Sequence, residues 1–309
     1  MSNLLEVNNV VKRYGDYTAL NNVSMHIPKG SVFGLLGPNG AGKTSLIRII
    51  NQITMPDAGE IILDGEKLAP NHIEYIGYLP EERGLYKSMK VGEQALYLAQ
   101  LKGLSKSEAK KRLKYWFDKF DIGAWWNKKI EELSKGMAQK VQFIVTVLHQ
   151  PKLLIFDEPF SGFDPINAQL IAKEILQLRD EGATIIFSTH RMESVEEMCD
   201  YIALINKSNK ILDGKLDDIK KEFRTNTFQI GLATSNSREV EQKLKQNFEV
   251  LPADFRLLND GLKLNVKLTN GNSANDLLSY LATQGEVQHF VELIPSANDI
   301  FIQAIHKNS

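Results

Sequence analysis

One eight-residue stretch constrains this chain most, because it fits the pattern G-x-x-x-x-G-K-S/T without a mismatch. The apolar run 32–36 before it predicts a buried strand, and the apolar spacing of 44–50 after it predicts a helix. Glycines in such a loop let backbone N–H groups face an anion, and the helix adds the positive end of its dipole. The stretch therefore predicts a nucleoside triphosphate site; a glycine-rich turn without a ligand is the alternative. The residues expected there are Gly37, Pro38, Asn39, Gly40, Ala41, Gly42, Lys43, Thr44 and Ser45.

The length of 309 residues favours a main domain with a second, appended domain. The 37 basic and 38 acidic residues nearly cancel, so no overall field favours nucleic acid or an acidic membrane surface. A single cysteine, Cys199, excludes an internal disulfide and fits a reducing compartment. No secretion signal is recognisable, and no uncharged apolar run is long enough to cross a bilayer. We therefore expect any membrane role to depend on a partner.

The pattern around the phosphate loop predicts two further layers. Residues 4–56 alternate short apolar runs with turns, which indicates an antiparallel β layer beside the nucleotide-binding core. Residues 58–65 predict a strand closed by an Asp-Gly turn, and residues 73–79 predict another strand. From 91 to 133 the apolar spacing is helical, and Ser105 with Glu108 has the spacing of a capping box. The face expected to be buried consists of Leu113, Trp116, Phe117 and Phe120.

Two carboxylates follow a later apolar strand, predicted at 153–156. Ligands of parallel sheets gather at the carboxyl ends of the strands, so Asp157 and Glu158 are expected beside the phosphate loop. There Asp157 would hold Mg²⁺ opposite the Thr44 hydroxyl, while Lys43 reaches the β- and γ-phosphates. Glu158 is placed to accept a proton from the water that attacks the γ-phosphate. A solvated acidic turn is the alternative.

Two other side chains are candidates for the same site. His190 follows the strand predicted at 183–188 and so points toward the nucleotide edge of the sheet, although a lone histidine usually has a structural role. Tyr14 lies in a polar connection, where its ring could stack on adenine or pack on its own turn.

Asp164-Pro165 begins another helix, with proline in the first turn.

The order of five separated elements resembles that of one family, the ATP-binding subunits of ABC transporters, over about residues 4–223. The most specific element is a Leu-Ser-x-Gly run about twenty residues before the acidic strand, which is particular to this family. Many other P-loop ATPases share the remaining chemistry. The five elements are the phosphate loop, Leu133-Ser134-Lys135-Gly136-Met137, Asp157-Glu158, Ser161-Gly162-Phe163-Asp164 and His190.

The resemblance implies a head-to-tail pair of such domains with ATP between them, either a homodimer or a pair of different ATPase subunits. Ser134 and the Gly136 backbone would contact the γ-phosphate held by the partner, and Asp164 would link the two sites. Glu158 would be the base, and His190 would steady the γ-phosphate and the attacking water. Tyr14 matches the aromatic residue that stacks on adenine in this family.

Two departures from the family pattern stand out. The signature usually reads Leu-Ser-Gly-Gly-Gln, whereas Lys135 and Met137 replace a glycine and the glutamine here. The loop after residue 80 usually carries a glutamine that touches Mg²⁺ and relays to the transmembrane partner; here the residue is Glu81, whose carboxylate can also ligate Mg²⁺. The sequence of residues 80–86 is similar to that found in a branch of ABC-2-type export subunits, which includes sodium-efflux types.

The pattern changes again near residue 225. Strands and helices are expected in the order β-α-β-β-α-β, with the middle strands on either side of Asn259-Asp260-Gly261, which is the ferredoxin-like order. The expected fold is thus an α/β P-loop NTPase (ABC ATPase) core with an antiparallel β subdomain and a helical insert at about 87–135. A small α+β ferredoxin-like domain follows it. The expected domain bounds are 1–223 and 224–309.

The function expected from these features is ATP binding and hydrolysis with Mg²⁺, coupled to an ABC-2-type transmembrane permease. The subunit would then be cytoplasmic and peripheral on the inner face of the membrane, without a nucleic acid partner. A soluble ABC ATPase acting on ribosomes or DNA is the alternative, although such proteins usually carry two ATPase halves or a long coiled coil. A nucleotide-binding regulator with little turnover is a third possibility, which the presence of Glu158 disfavours.

Overall fold

The computed structural model describes residues 2–81, 84–253, 255, 261–268 and 272–308. The chain forms two compact units, Met1–Leu216 with Phe301–Ser309, and Asp217–Ile300. The predicted domain boundary at 223/224 stays a prediction. Within the described residues, no helix has both the length and the hydrophobicity that a bilayer-spanning helix needs.

The first unit combines two sheets with helices. Its strands are β1 (Asn3–Tyr14), β2 (Tyr17–Pro28), β3 (Val32–Leu36), β4 (Ala58–Leu63), β5 (Glu66–Lys67), β6 (Ile76–Leu79), β7 (Leu153–Asp157), β8 (Thr184–Ser188), β9 (Tyr201–Asn206) and β10 (Asn209–Lys215). Its helices are α1 (Lys43–Ile50), α2 (Val91–Leu101), α3 (Lys106–Lys119), α4 (Lys135–Val147), α5 (Pro165–Asp180) and α6 (Met192–Met198). The helix α7 (Leu216–Glu222) follows them.

The central sheet has the strand order β10-β9-β3-β8-β7-β6, in which the strands from β9 to β6 run parallel. Every residue of β3, β7 and β8 is buried, which explains why only Thr184, Ser188 and Asp157, at the strand ends, are polar. Ser188 pairs in register with both Leu35 and Asp157, so the carboxyl ends of these strands lie at one edge. The predicted P-loop core is confirmed.

The second sheet of this unit is antiparallel, with the order β2-β1-β4-β5, and its apolar side chains share a core with those of β3 and α1. The predicted antiparallel layer is therefore confirmed. The Asp-Gly turn is also present: Asp64 and Gly65 have φ values of 52° and 85°, as a two-residue hairpin turn between β4 and β5 requires.

The helical insert consists of α2, α3, short 3₁₀ helices at Gly123–Trp125 and Ile130–Glu132, and the start of α4. The face of α3 that was expected to be buried is buried. The Ser105 hydroxyl accepts the Glu108 N–H, but the Glu108 carboxylate pairs with Arg112 instead of returning to Ser105. Only half of the expected capping box is therefore formed.

Two sequence expectations were wrong or incomplete. The strand expected over 73–79 begins only at Ile76, because Pro70–Tyr75 forms a 3₁₀ helix in which His72 Nδ1 accepts the Ala69 N–H. A last helix, α10 (Ala297–Lys307), was not foreseen. Its start is a capping box between Ser296 and Asp299, a spacing that the sequence does show.

The second unit contains β11 (Thr227–Ala233), α8 (Ser237–Asn247), β12 (Glu249–Pro252), β13 (Leu262–Lys267), α9 (Ala274–Gln284) and β14 (Glu286–Glu292). Its antiparallel sheet has the order β12-β13-β11-β14, and α8 and α9 contribute apolar side chains to a single core with the strands. Element order and strand order both match the predicted ferredoxin-like arrangement. Two of the three residues of the turn expected at 259–261 lie outside the described residues.

Candidate functional site

The phosphate loop joins the carboxyl end of β3 to α1. Gly37 and Gly42 have φ values of 148° and 118°, and both lie against neighbouring backbone. A Cβ on Gly37 would stand 2.2 Å from the Ile205 carbonyl oxygen, and one on Gly42 would stand 2.3 Å from the Ala19 carbonyl oxygen. Only glycine fits these two positions, which are the two glycine positions of the motif.

Lys43, the first residue of α1, folds back across the loop. Its Nζ donates to the carbonyl oxygens of Gly37 at 2.6 Å and Pro38 at 3.1 Å. Burial lowers the pKa of the Lys43 ammonium, and the negative charges of Asp157, Glu158 and Glu81 oppose this shift. The lysine and the three expected carboxylates therefore belong to one electrostatic cluster at the sheet edge.

Asp157 ends β7, with only 7% of its surface exposed. Burial raises the pKa of its carboxyl, and the charges of Glu81 and Glu158 raise it further. Asp157, Glu81 and the exposed Thr44 hydroxyl are the hard oxygen donors that Mg²⁺ prefers, so the donor chemistry fits this ion. In the part of the chain described, no three His, Cys, Asp or Glu side chains form a metal-binding group, so water and phosphate oxygens would supply the remaining ligands.

Glu158 follows Asp157 in a left-handed backbone conformation, with φ of 49°. Its N–H donates to the Ser188 carbonyl oxygen at 2.9 Å, which ties it to the end of β8. Its carboxylate accepts the His190 N–H at 2.8 Å, approaches His190 Nδ1 at 2.7 Å and accepts the Thr189 hydroxyl at 3.2 Å. Such strained conformations occur at functional sites, where surrounding contacts hold them. The structure thus brings Glu158 and His190 into direct contact.

The signature residues lie at the start of α4. The Ser134 hydroxyl caps this helix by accepting the Met137 N–H, and a Cβ on Gly136 would stand 3.5 Å from the Gly162 carbonyl oxygen. The side-chain carbons of Lys135 lie against Gly162, so the signature packs on the segment that leads to α5. Among the described residues, no hydrogen bond joins Ser134 or Gly136 to the phosphate loop. Within one chain, the signature is thus not connected directly to that loop.

Asp164 is the N-cap of α5. Its carboxylate accepts both the backbone N–H and the side-chain amide of Asn167, and the backbone hydrogen bond is the main cause of its lowered pKa. Tyr14 ends β1 with 44% of its surface exposed, and the Lys12 ammonium lies 5.4 Å from its ring centroid. Lys12 is itself held by Asp57 and by the Met55 carbonyl oxygen. The roles assigned to Asp164 and Tyr14 stay predictions.

Sequence reasoning missed four residues that touch this site. Tyr17 donates its hydroxyl to the Gly40 carbonyl oxygen, and the Ser208 N–H donates to the Ala41 carbonyl oxygen. Thr189 holds the Glu158 carboxylate. Burial, with the charge of Asp157, raises the pKa of Tyr78 to about 12. Only Thr189 had a sequence signal, because it stands between a strand end and His190; the contacts of the others join distant parts of the chain.

Comparison with known proteins gives matches to both parts of the chain. A family model described as ABC transporter matches residues 20–161, and one described as ATP-binding protein DrrA1-3-like, C-terminal domain, matches residues 214–305. The uncharacterized ABC transporter ATP-binding protein YhaQ of Bacillus subtilis is 41% identical over 302 residues, which is 98% of each chain. The lantibiotic transport ATP-binding protein SrtF of Streptococcus pyogenes is 35% identical over 69% of this chain and 92% of its own.

A solved structure described as the ATP-binding subunit of an ABC transporter has the same fold as the first unit. It superposes with a TM-score of 0.67 and 31% sequence identity, covering 71% of this chain and 93% of the other.

Proposed function

Because the chain belongs to the family of ABC transporter ATP-binding proteins, we propose that it drives an ABC-2-type export permease through an ATP-dependent, head-to-tail dimer. The chain is an ATP-binding and ATP-hydrolysing subunit of a transporter. Export is supported by the lantibiotic transport relative and by the DrrA-like C-terminal match. In this proposal the subunit lies on the cytoplasmic face of the membrane, where it binds the permease.

The observation that carries the proposal is the meeting of the phosphate loop, Asp157, Glu158 and His190 at one edge of the central sheet. Lys43 would bind the β- and γ-phosphates, and Thr44 with Asp157 would hold Mg²⁺. When bound, Mg²⁺ supplies positive charge that offsets the charge on the phosphates. Glu158 would take a proton from the attacking water, and His190, in contact with its carboxylate, would orient that water and the γ-phosphate.

The dimer would complete each site with the partner's signature. Ser134 and Lys135 are exposed at the start of α4, where free N–H groups and the helix dipole favour an anion. Within one chain they have no hydrogen bond to the phosphate loop in the described residues, which is consistent with action on the nucleotide of a second subunit. Asp164 begins α5 beside the signature and would lie at the same contact.

An apolar groove of about 320 Å³ between β6 and α2 is the surface we assign to the permease. Ile53 and Leu101 line it with 61% and 63% of their surfaces exposed, which is unusual for large apolar side chains that lie together. Lys102, which also lines the groove, donates to the carbonyl oxygens of Ile73 and Ile76. The groove includes Tyr78 of β6, the strand that leads to Glu81, so a segment bound there could influence the metal side of the site.

The proposal is tested by isolating the tagged Glu158→Gln protein, with ATP and Mg²⁺, from detergent-solubilised native membranes. We expect a polytopic membrane protein to copurify, and the amount to fall when Leu101→Glu is added, because a charge in the groove costs desolvation energy. Glu131→Gln, an exposed change at the far end of the insert, serves as the control. Recovery of ribosomal or DNA-bound material without a membrane protein would instead support the soluble alternative.

A further inference from the structure

The tip of the phosphate loop, residues 38–40, is exposed and has few internal contacts. Its internal hydrogen bond is from the Ala41 N–H to the Pro38 carbonyl oxygen, at 3.1 Å. A Cβ placed on Gly40 would meet no atom within 4 Å, so side-chain packing does not hold this residue. The loop itself holds Pro38, whereas Gly40 depends on groups outside the loop.

Backbone geometry shows which groups these are. A carbonyl group of the loop that does not face solvent needs a donor of its own. The first two carbonyl groups of the loop, those of Gly37 and Pro38, accept from Lys43. Two later carbonyl groups, those of Gly40 and Ala41, accept from two other parts of the chain.

The Gly40 carbonyl oxygen accepts the Tyr17 hydroxyl at 2.7 Å. Tyr17 is the first residue of β2 and pairs across the hairpin with Tyr14. With 53% of its surface exposed, Tyr17 gains little from burial at this position. Its hydrogen bond to Gly40 is the contact that distinguishes it from an ordinary surface tyrosine.

The Ala41 carbonyl oxygen accepts the Ser208 N–H at 3.2 Å. Ser208 lies in the turn between β9 and β10 with φ of 68°, and its hydroxyl donates to the Thr18 carbonyl oxygen at 2.5 Å. The Asn21 N–H donates to the Ser208 carbonyl oxygen at 2.8 Å. The β9–β10 turn and the β1–β2 hairpin thus hold each other while each holds one carbonyl group of the loop.

We propose that Tyr17 is a positioning residue for ATP, whose hydroxyl, together with the bond from the Ala41 N–H to Pro38, fixes the Gly40–Ala41 peptide plane and so keeps the phosphate loop in its binding conformation. Tyr17 acts on the phosphates through the loop, without touching the base. The hairpin would then have two separable functions: Tyr14 would offer its ring to adenine, and Tyr17 would hold the loop that binds the phosphates. Ser208 contributes through its backbone, which leaves Tyr17 as the side chain that mutation can test.

The test is the Tyr17→Phe variant of the full chain, which removes one hydroxyl from an exposed ring. We expect KM for ATP to rise about 3- to 10-fold, the range for loss of one hydrogen bond, with kcat unchanged because Glu158 and His190 are unaffected. The inhibition constant of inorganic tripolyphosphate, which has no base, should rise by the same factor. Tyr97→Phe, a change at another exposed tyrosine, should alter neither value.

Tyr14→Ala provides the contrast, because it should weaken ATP binding and leave tripolyphosphate inhibition unchanged. GTP gives a second comparison: if Tyr17 acts through the loop, Tyr17→Phe raises KM for GTP and for ATP by equal factors. A Tyr17→Phe protein with unchanged KM would overturn the proposal. A loss for ATP alone would also overturn it, since the hydroxyl would then contact the nucleoside.

Discussion

From the contact between Lys119 and Glu174 we predict that one ion pair stabilises the packing of the helical insert against α5. Lys119 ends α3, and its Nζ lies 2.5 Å from Glu174 Oε2 and 3.0 Å from Gln177 Oε1, both on α5. The side chain of Glu174 is only 4% exposed, whereas that of Lys119 is 24% exposed. Lys119 Nζ also lies 5.2 Å from the centroid of the Trp116 ring. The change we choose is Lys119→Met, which removes the charge and keeps most of the stem.

The expected loss follows from the carboxylate that remains. Removing one partner of a fully buried ion pair costs about 3–5 kcal/mol, because the other charge stays desolvated without compensation. Lys119 is a quarter exposed and water can reach its side of the pair, so we expect about 2–3 kcal/mol less stability for Lys119→Met. The double variant Lys119→Met/Glu174→Met should recover most of this loss, because two apolar groups need no partner.

The assay is urea unfolding of the full chain, followed by tryptophan fluorescence. All three tryptophans lie in the insert, and Trp116 is next to Lys119, so this signal reports the region that changes. Lys129→Met, which breaks the exposed pair with Glu131 within the same insert, is the matched control and should cost no more than about 0.5 kcal/mol. The reasoning fails if Lys119→Met matches the control, or if the double variant is as unstable as the single one.

Two other changes test the carboxylates of the site. Glu158→Gln should lower the rate of phosphate release at least about 100-fold, because it removes the base while keeping the shape; a rate near that of the parent would remove Glu158 from that role. Asp157→Asn should abolish ATP hydrolysis. In EDTA without nucleotide, the same change should raise the urea concentration at the midpoint of unfolding at pH 7. Since burial raises the pKa of Asp157, the folded chain holds this proton more tightly than the unfolded chain, and ionisation costs stability as pH rises. The gain should therefore shrink as pH falls from the raised pKa of the folded chain to the usual value for Asp; a gain that is equal at all pH values would contradict this.

Local patterns predicted the central sheet well. The bounds of β3 match the apolar run at 32–36, and β7 and β8 coincide with runs that stop at polar residues. A strand buried on both faces has no alternation, so its length is set by where the apolar run ends. The rule that carboxyl ends share one edge then brought Glu158 and His190 together, although they are 32 positions apart.

Non-local contacts could not be predicted in the same way. The 3₁₀ helix Pro70–Tyr75 includes the first three residues of the strand predicted at 73–79. In so short a stretch, the periodicity of apolar residues does not distinguish a helix from a strand. The hydroxyl of Tyr17 reaches a carbonyl 23 positions away, and no spacing in the sequence signals that contact. By contrast, α10 was predictable, because Ser296 and Asp299 show the spacing of a capping box.

The charges at the sheet edge explain which form of the nucleotide this site suits. Burial lowers the pKa of Lys43 and raises that of Asp157, so burial disfavours the charged form of each group. Glu81 and Glu158 add negative charge near both. A polyphosphate alone would increase this repulsion, whereas a polyphosphate with a divalent cation brings an anion for Lys43 and a cation for the carboxylates. Binding of Mg²⁺ together with ATP, as proposed, would therefore reduce the repulsion at this edge, which agrees with the proposed role of Asp157 as a metal ligand.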